Sequence, residues 1–204
     1  IGAATASDQL TVSGTISGAG KLEKTGDGKV TLAAPNTYTG GTTIQAGMLS
    51  AQHTQALNQG KVTVADGATL NIDGVTLALA SGLDLSGTGA GGVGALTGSG
   101  MAAYTGGVTL VADSRVGAAT TSDQLTLSGI IAGATRKLDK RGAGKVTLTA
   151  ANTYTGGTLI EEGTLSAQHA QALSQGKVIV ADGATLHIDN VSLSLAHGLD
   201  LSGI

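Results

Sequence analysis

Two long stretches of this chain are nearly the same, and the places where they differ restrict the fold more than the places where they agree. Ile1-Gly-Ala-Ala-Thr-Ala-Ser-Asp-Gln-Leu-Thr-Val-Ser-Gly14 returns as Val116-Gly-Ala-Ala-Thr-Thr-Ser-Asp-Gln-Leu-Thr-Leu-Ser-Gly129. After a one-residue insertion near Thr135, Lys21 to Gly87 maps onto Lys137 to Gly203, with about 50 of roughly 67 positions identical. The chain reads as one continuous fragment over 1–204, with copy one at 1–115 and a partial copy two at 116–204. Because it starts in mid-pattern, it reads as a window cut from a longer repetitive protein. In Lys61-Val-Thr-Val64 against Lys177-Val-Ile-Val180, and in Leu70-Asn-Ile72 against Leu186-His-Ile188, only the residue between the aliphatic pair changes. Val75-Thr-Leu-Ala-Leu79 against Val191-Ser-Leu-Ser-Leu195 drifts at alternate positions too, and Ile44 and Ile160 hold while their neighbours vary. One parity stays apolar and the other is free, which predicts strands with one buried face and one wet face.

The core these strands build must be narrow. The chain has 34 glycines, one proline, three tyrosines and no Phe, Trp or Cys. A β-sandwich spans about 10 Å between its sheets and usually needs aromatic residues to do so. A parallel β-solenoid stacks Val, Leu, Ile and Ala on copies of themselves. At roughly 20 to 25 residues per turn and about 4.8 Å between strands, the chain makes about nine turns and a rod of about 40 Å. Glycine then serves the corners at Gly26-Asp-Gly28, Gly40-Gly41 and Asp66-Gly67. The one short helical candidate, Ser50 to Asn58 with its echo Ser166 to Ser174, is too short to stand alone and reads as a loop or single turn projecting from a corner. Ser86 to Gly94 is glycine-rich and fits a turn or a linker equally well. Without cysteine there is no disulfide framework, and no apolar run approaches the roughly 20 residues of a membrane helix. The formal charge of -3 is spread without runs, so nucleic acid is not an expected partner.

One block in each copy carries a family resemblance. Leu22-Glu-Lys-Thr-Gly-Asp-Gly28 leads to Asn36-Thr-Tyr-Thr-Gly-Gly-Thr42 and then Gly47-Met-Leu49; Leu138-Asp-Lys-Arg-Gly-Ala-Gly144 leads to Asn152-Thr-Tyr-Thr-Gly-Gly-Thr158 and Gly163-Thr-Leu165. This pattern resembles the passenger-associated transport repeat of bacterial autotransporters, an adhesin-rich family. A weaker relative, Tyr104-Thr-Gly-Gly107, has Ala102 in the asparagine position. The resemblance implies a right-handed parallel β-helix, a passenger exported past an outer-membrane β-barrel translocator in the parent chain, and a location on the cell surface or in the medium. It also implies help with export, since rungs that fold outside hold the chain there. The absence of cysteine fits that route, because the periplasm is oxidising and disulfide loops would obstruct passage.

The polar residues of the motif read as structural. Asn36 and Asn152 suit corners, where Asn bonds turn amides and tolerates positive φ. Tyr38 and Tyr154 are expected to cover the glycine turns Gly40-Gly41 and Gly156-Gly157 and pack over the end of the core, rather than offer contacts to sugar or protein. His53 and His169 occupy equivalent places in different copies, about 20 Å or more apart, so they share no metal; no cofactor is expected. Asp8, Asp66 and Asp84 recur as Asp123, Asp182 and Asp200 beside Gly or Ser, which points to corners, and Glu161-Glu162 stands without a basic partner nearby in the sequence. No catalytic set is expected. Outward Thr63 and Thr43 become Ile179 and Leu159, which argues against a threonine array for binding ice.

The leading expectation is a non-enzymatic β-helical segment of a secreted autotransporter passenger, serving as stalk or adhesin and folding stepwise during export. The competing expectations are an adhesive module whose contacts are the repeated turns holding Gln52, His53 and Gln55 and Gln168, His169 and Gln171, and a spacer that carries an enzymatic domain elsewhere in the parent. Expected partners are a host-surface or matrix glycan or protein, or a second copy meeting the exposed strand edges.

Overall fold

The computed structural model describes residues 1–58, 60–173 and 175–202. One inward column runs its length: Leu10, Val30, Leu49, Leu70, Leu96, Val116, Lys140, Ile160, Val180 and Leu201 stand each on the one before, in register, on parallel strands. Ten stacked residues make nine turns, so the chain is an all-β parallel solenoid of about the expected length. Among the described residues the one helical element is the single 3-10 turn Ala90–Gly92.

Three faces form the shaft. The first holds Leu22–Lys24, Thr42–Ile44, Val62–Val64, Leu83–Gly87 and the beginning of the long strand Val108–Ala118. On the second lie Gln9–Val12, Lys29–Leu32, Gly47–Ala51, Ala68–Asp73, Leu96–Ser99 and the end of Val108–Ala118, followed by Leu138–Arg141, Thr158–Ile160, Val178–Val180 and Leu199–Leu201. The third, a separate sheet, stacks Thr76–Leu77, Met101–Tyr104, Gln124–Leu127, Lys145–Leu148, Thr164–Ala167 and Thr185–Ile188. Equivalent strands of the two copies do not share a face. Lys29–Leu32 is on the second face, whereas its counterpart Lys145–Leu148 is on the third.

The alternation is present on the first face, where Val62 and Val64 are buried on either side of half-buried Thr63. On the second face the outward row is not wet. Ser50, Asn71 and Thr97 are buried and bond one another across rungs: Asn71 Nδ2 donates to Ser50 Oγ at 3.1 Å, and Thr97 Oγ1 donates to Asn71 Oδ1 at 2.9 Å. Polarity at an outward position therefore does not report exposure here. The glycine-rich segment is no linker; it folds back along the second face as a lip beside this row, bonded to Thr69 and Arg115. Ala90 N donates to Thr69 Oγ1 at 2.9 Å, Thr69 Oγ1 donates to Gly94 O at 2.8 Å, and Arg115 Nη1 donates to Gly92 O at 3.0 Å.

The Ser50 to Asn58 segment also differs from the expected projecting loop. Ser50 and Ala51 finish a strand, a turn closes with Ala56 N donating to His53 O at 2.9 Å, and Ala56 and Leu57 are buried in the core. Two apolar side chains pull the segment back against the shaft, leaving Gln52 and Gln55 at its exposed crest. Ser174, where the second such segment ends, and Gly203, where the second copy's echo ends, lie outside the described residues.

Candidate functional site

The Asn-Thr-Tyr-Thr-Gly-Gly corner is a tie between rungs. Asn36 is buried; its Oδ1 accepts from Ile16 N on the preceding turn at 2.7 Å, and its Nδ2 donates to Ala56 O on the following turn at 2.6 Å. Asn152 repeats this with Ile131 N at 2.8 Å and Ala172 O at 2.6 Å. An amide suits this place because it offers a donor and an acceptor on opposite sides of one plane. The bonds reach neighbouring rungs, not the residue's own turn, and positive φ plays no part: among the described residues only Thr135 and Asn190 adopt it outside glycine. Tyr38 and Tyr154 are buried too, each hydroxyl paired with a threonine hydroxyl four residues on, Thr42 or Thr158, at 2.6 Å. In the weaker third motif that threonine is Val108, and Tyr104 donates instead to Gly107 O at 3.3 Å. Burial raises the pKa of all three phenols. The glycine pair is set by the next rungs: a Cβ on Gly40 would lie 2.6 Å from the Gly20 carbonyl carbon, and Gly41 combines a φ of 82° with Lys61 O only 2.7 Å from where its Cβ would be. Gly156 and Gly157 face Arg136 and Lys177 in the same way.

Sequence reasoning missed the lysines of the motif. Lys24 and Lys140 are fully buried, their stems in the core and their ammonium groups turned to a corner. Lys24 Nζ donates to the carbonyls of Thr25, Gly26 and Ala46 at 3.1, 2.6 and 2.8 Å. Lys140 Nζ donates to Gly142, to Gly144 at 2.7 Å and to Glu162 at 2.6 Å, again through main-chain oxygens. In each copy three ammonium donors meet three main-chain carbonyls gathered at the corner. Burial lowers both pKa values, to about 8 for Lys140, while Asp27 and Glu162 act in the opposite direction. The signal that could have found them was identity at the third position of Leu-x-Lys in both copies, inside a parity otherwise aliphatic.

The two Gln-His turns are alike. His53 Nδ1 accepts from Gln55 N and His169 Nδ1 from Gln171 N, each at 3.0 Å, while Gln52 Nε2 donates to Asp73 at 2.7 Å and Gln168 Nε2 to Asp189 at 2.6 Å. Gln55 and Gln171 are exposed. Asp8 Oδ2 accepts from Thr5 N at 2.8 Å, which holds its pKa low; Asp123 Oδ2 accepts from Thr120 N at 2.9 Å, and its Oδ1 reaches the preceding rung to accept from Gly100 N at 2.8 Å.

Glu161 and Glu162 do have basic partners, contrary to the reading of the linear sequence. Arg115, buried and two rungs back, donates to Glu161 Oε1 at 2.7 Å and passes 3.7 Å from Asp139; Arg141 lies 3.7 Å from Glu161 and 3.4 Å from Glu162. Stacking brings residues 20 to 46 positions apart side by side, which no local window shows. Burial raises the Asp139 pKa and Arg115 opposes it. The cluster closes one end of a groove of about 370 Å³ on the second face, lined by Lys29, Met48, Asn71, Val93, Arg141 and Glu162 among others. Its charges are paired with one another, and among the described residues no three His, Asp or Glu side chains gather as metal ligands.

Comparison with known proteins agrees with this architecture. The Passenger-associated-transport-repeat family matches residues 22–51 and 138–167, the two segments that hold the buried lysine and the Asn-Thr-Tyr corner. A curated relative, the adhesin BmaC autotransporter of Brucella suis biovar 1 (strain 1330), is 32% identical over 201 residues, 97% of this chain and 5% of that protein. The chain thus spans about one-twentieth of the length of the relative it matches. No solved structure matches it. With two transport repeats placed where the rungs are tied together, the chain carries the repeat of autotransporter passengers and is similar along nearly its whole length to part of an autotransporter adhesin, which supports a place on the cell surface or in the medium beyond the outer membrane.

Proposed function

We propose that this segment is a non-enzymatic shaft of an adhesin passenger, one that holds weak binding surfaces away from the cell and gains order rung by rung as it emerges. The observation that carries this is what the repeated polar residues bond to: Asn36, Asn152, Lys24 and Lys140 all bind backbone groups of adjacent rungs. Each rung thereby supplies part of the polar satisfaction of the next, which favours sequential propagation in a one-dimensional stack. The crest glutamines are the candidate contacts, because they are exposed and recur. The test is binding of the purified chain to host-type cells and to an array of glycans and matrix proteins, beside a variant with Gln55 and Gln171 both changed to Ala. Saturable binding that the variant loses supports adhesion by the turns; binding by neither folded protein overturns the adhesive part and leaves the shaft.

A further inference from the structure

The register of the stack contains a phase. Five turns carry the inward column from Leu10 to Val116. Leu125, the repeat equivalent of Leu10, comes only after another nine residues, and it lies on the third face, where it pairs with Ala102 and Val146. The same displacement holds throughout. Lys24 stacks with Ile44 on the first face, but its equivalent Lys140 stacks between Val116 and Ile160 on the second. Val30 is on the second face and its equivalent Val146 on the third.

We infer that the repeating unit is a five-and-one-third-turn element, so that successive copies present the same surface on successive sides of the shaft. The functional side of this inference rests on the adhesive reading; the phase itself does not. The first Gln-His turn leaves the second-face strand Gly47–Ala51, and the second leaves the third-face strand Thr164–Ala167. At about 4.8 Å per rung they stand about 26 Å apart along the axis and about a third of a turn apart around it. One flat surface cannot meet both. The turns are therefore single sites for separate partner domains that approach from different sides, and a unit of this length regains its original face only after three copies, 16 turns and about 77 Å.

The chain has no cysteine, so single thiols report on this directly. Met101 and Gln124 belong to different copies, are exposed, and are neighbours in the third-face register. Met101→Cys with Gln124→Cys should form a disulfide on mild oxidation, since parallel neighbours lie within the roughly 4.4–6.8 Å Cα range. Nitroxides at the same two sites should show dipolar broadening even if strand geometry disfavours the bond. For the consequence, Gln55→Cys with Gln171→Cys is labelled with short desthiobiotin groups and released from a planar monomeric-avidin surface. Glu23→Cys with Thr109→Cys is the control, because both are exposed and share the first face four rungs apart. The control pair should dissociate at least about 100-fold more slowly than either single label, and the turn pair within about two-fold of its single labels. Absence of both disulfide and broadening overturns the phase. A turn pair as slow to leave as the control overturns the independence of the turns, and neither result depends on whether a natural ligand exists.

Discussion

Asn36→Ala isolates the tie between rungs. The substitution removes the acceptor of Ile16 N and the donor to Ala56 O, and the remaining Cβ fills little of the space. Asn36 is 7% exposed, so water does not readily replace the amide. A buried backbone group left unpaired costs about 1 to 3 kcal/mol; two give about 2 to 5 kcal/mol, with partial relaxation keeping the effect near the lower half. Because a solenoid loosens locally before it melts as a whole, the loss should concentrate in the turns that Asn36 joins. Hydrogen exchange is therefore the assay: the Ile16 amide should exchange about 30-fold to a few hundred-fold faster, while amides near Asn152 keep their protection. Asn36→Asp adds a directional check. A carboxylate still accepts from Ile16 N but cannot donate to Ala56 O, so at neutral pH the variant should resemble the alanine protein. Below the carboxyl pKa it regains a donor and should recover part of the protection. Unchanged exchange at Ile16 in both variants would refute the argument that the amide ties three turns together.

Lys140 predicts a pH response with a definite sign. Its folded pKa of about 8 lies below the unfolded value near 10.5, so between those values the unfolded chain holds the extra proton and stability rises with pH. Urea titrations at pH 7.5 and 9.5 should show the wild type gaining about 1 to 2 kcal/mol relative to Lys140→Met, at 1.36 kcal/mol per pKa unit; an equal response of the two proteins would contradict it. Gly41→Ala should cost several kcal/mol, because the positive φ and the approach of Lys61 O act together, and circular dichroism melting would register it. Leu77→Asp buries a charge in a fully covered place and should unfold adjacent rungs, whereas Thr63→Asp on the half-exposed row should cost less than about 1 kcal/mol; similar losses would sink the proposed alternation. Arg115→Met leaves Asp139 and Glu161 without their shared cation; because both carboxylates are partly exposed and Arg141 still reaches Glu161, chemical denaturation should show a loss of about 1 to 3 kcal/mol, less than for fully buried charge.

The pattern of drift between copies was enough to place aliphatic residues inside and to choose a solenoid over a sandwich, because a period of two is a local property and a core without Phe or Trp must be thin. The transport-repeat resemblance was legible for a related reason: its Asn, Tyr, Lys and glycines sit at fixed spacings within one turn. What those residues bond to was not legible. Asn36 reaches Ile16 and Ala56, one turn away on either side, and Arg115 reaches Glu161 across two. Such partners are selected by turn length, and turn length depends on how many residues each corner absorbs. The lip at Gly89 to Gly94, which walls one side of the groove on the second face, follows from one lengthened turn, and the one-third-turn phase follows from the sum of all turns in a unit. Local sequence determined which side of each strand faces inward; only the stacking of whole turns decided which face of the shaft each copy presents.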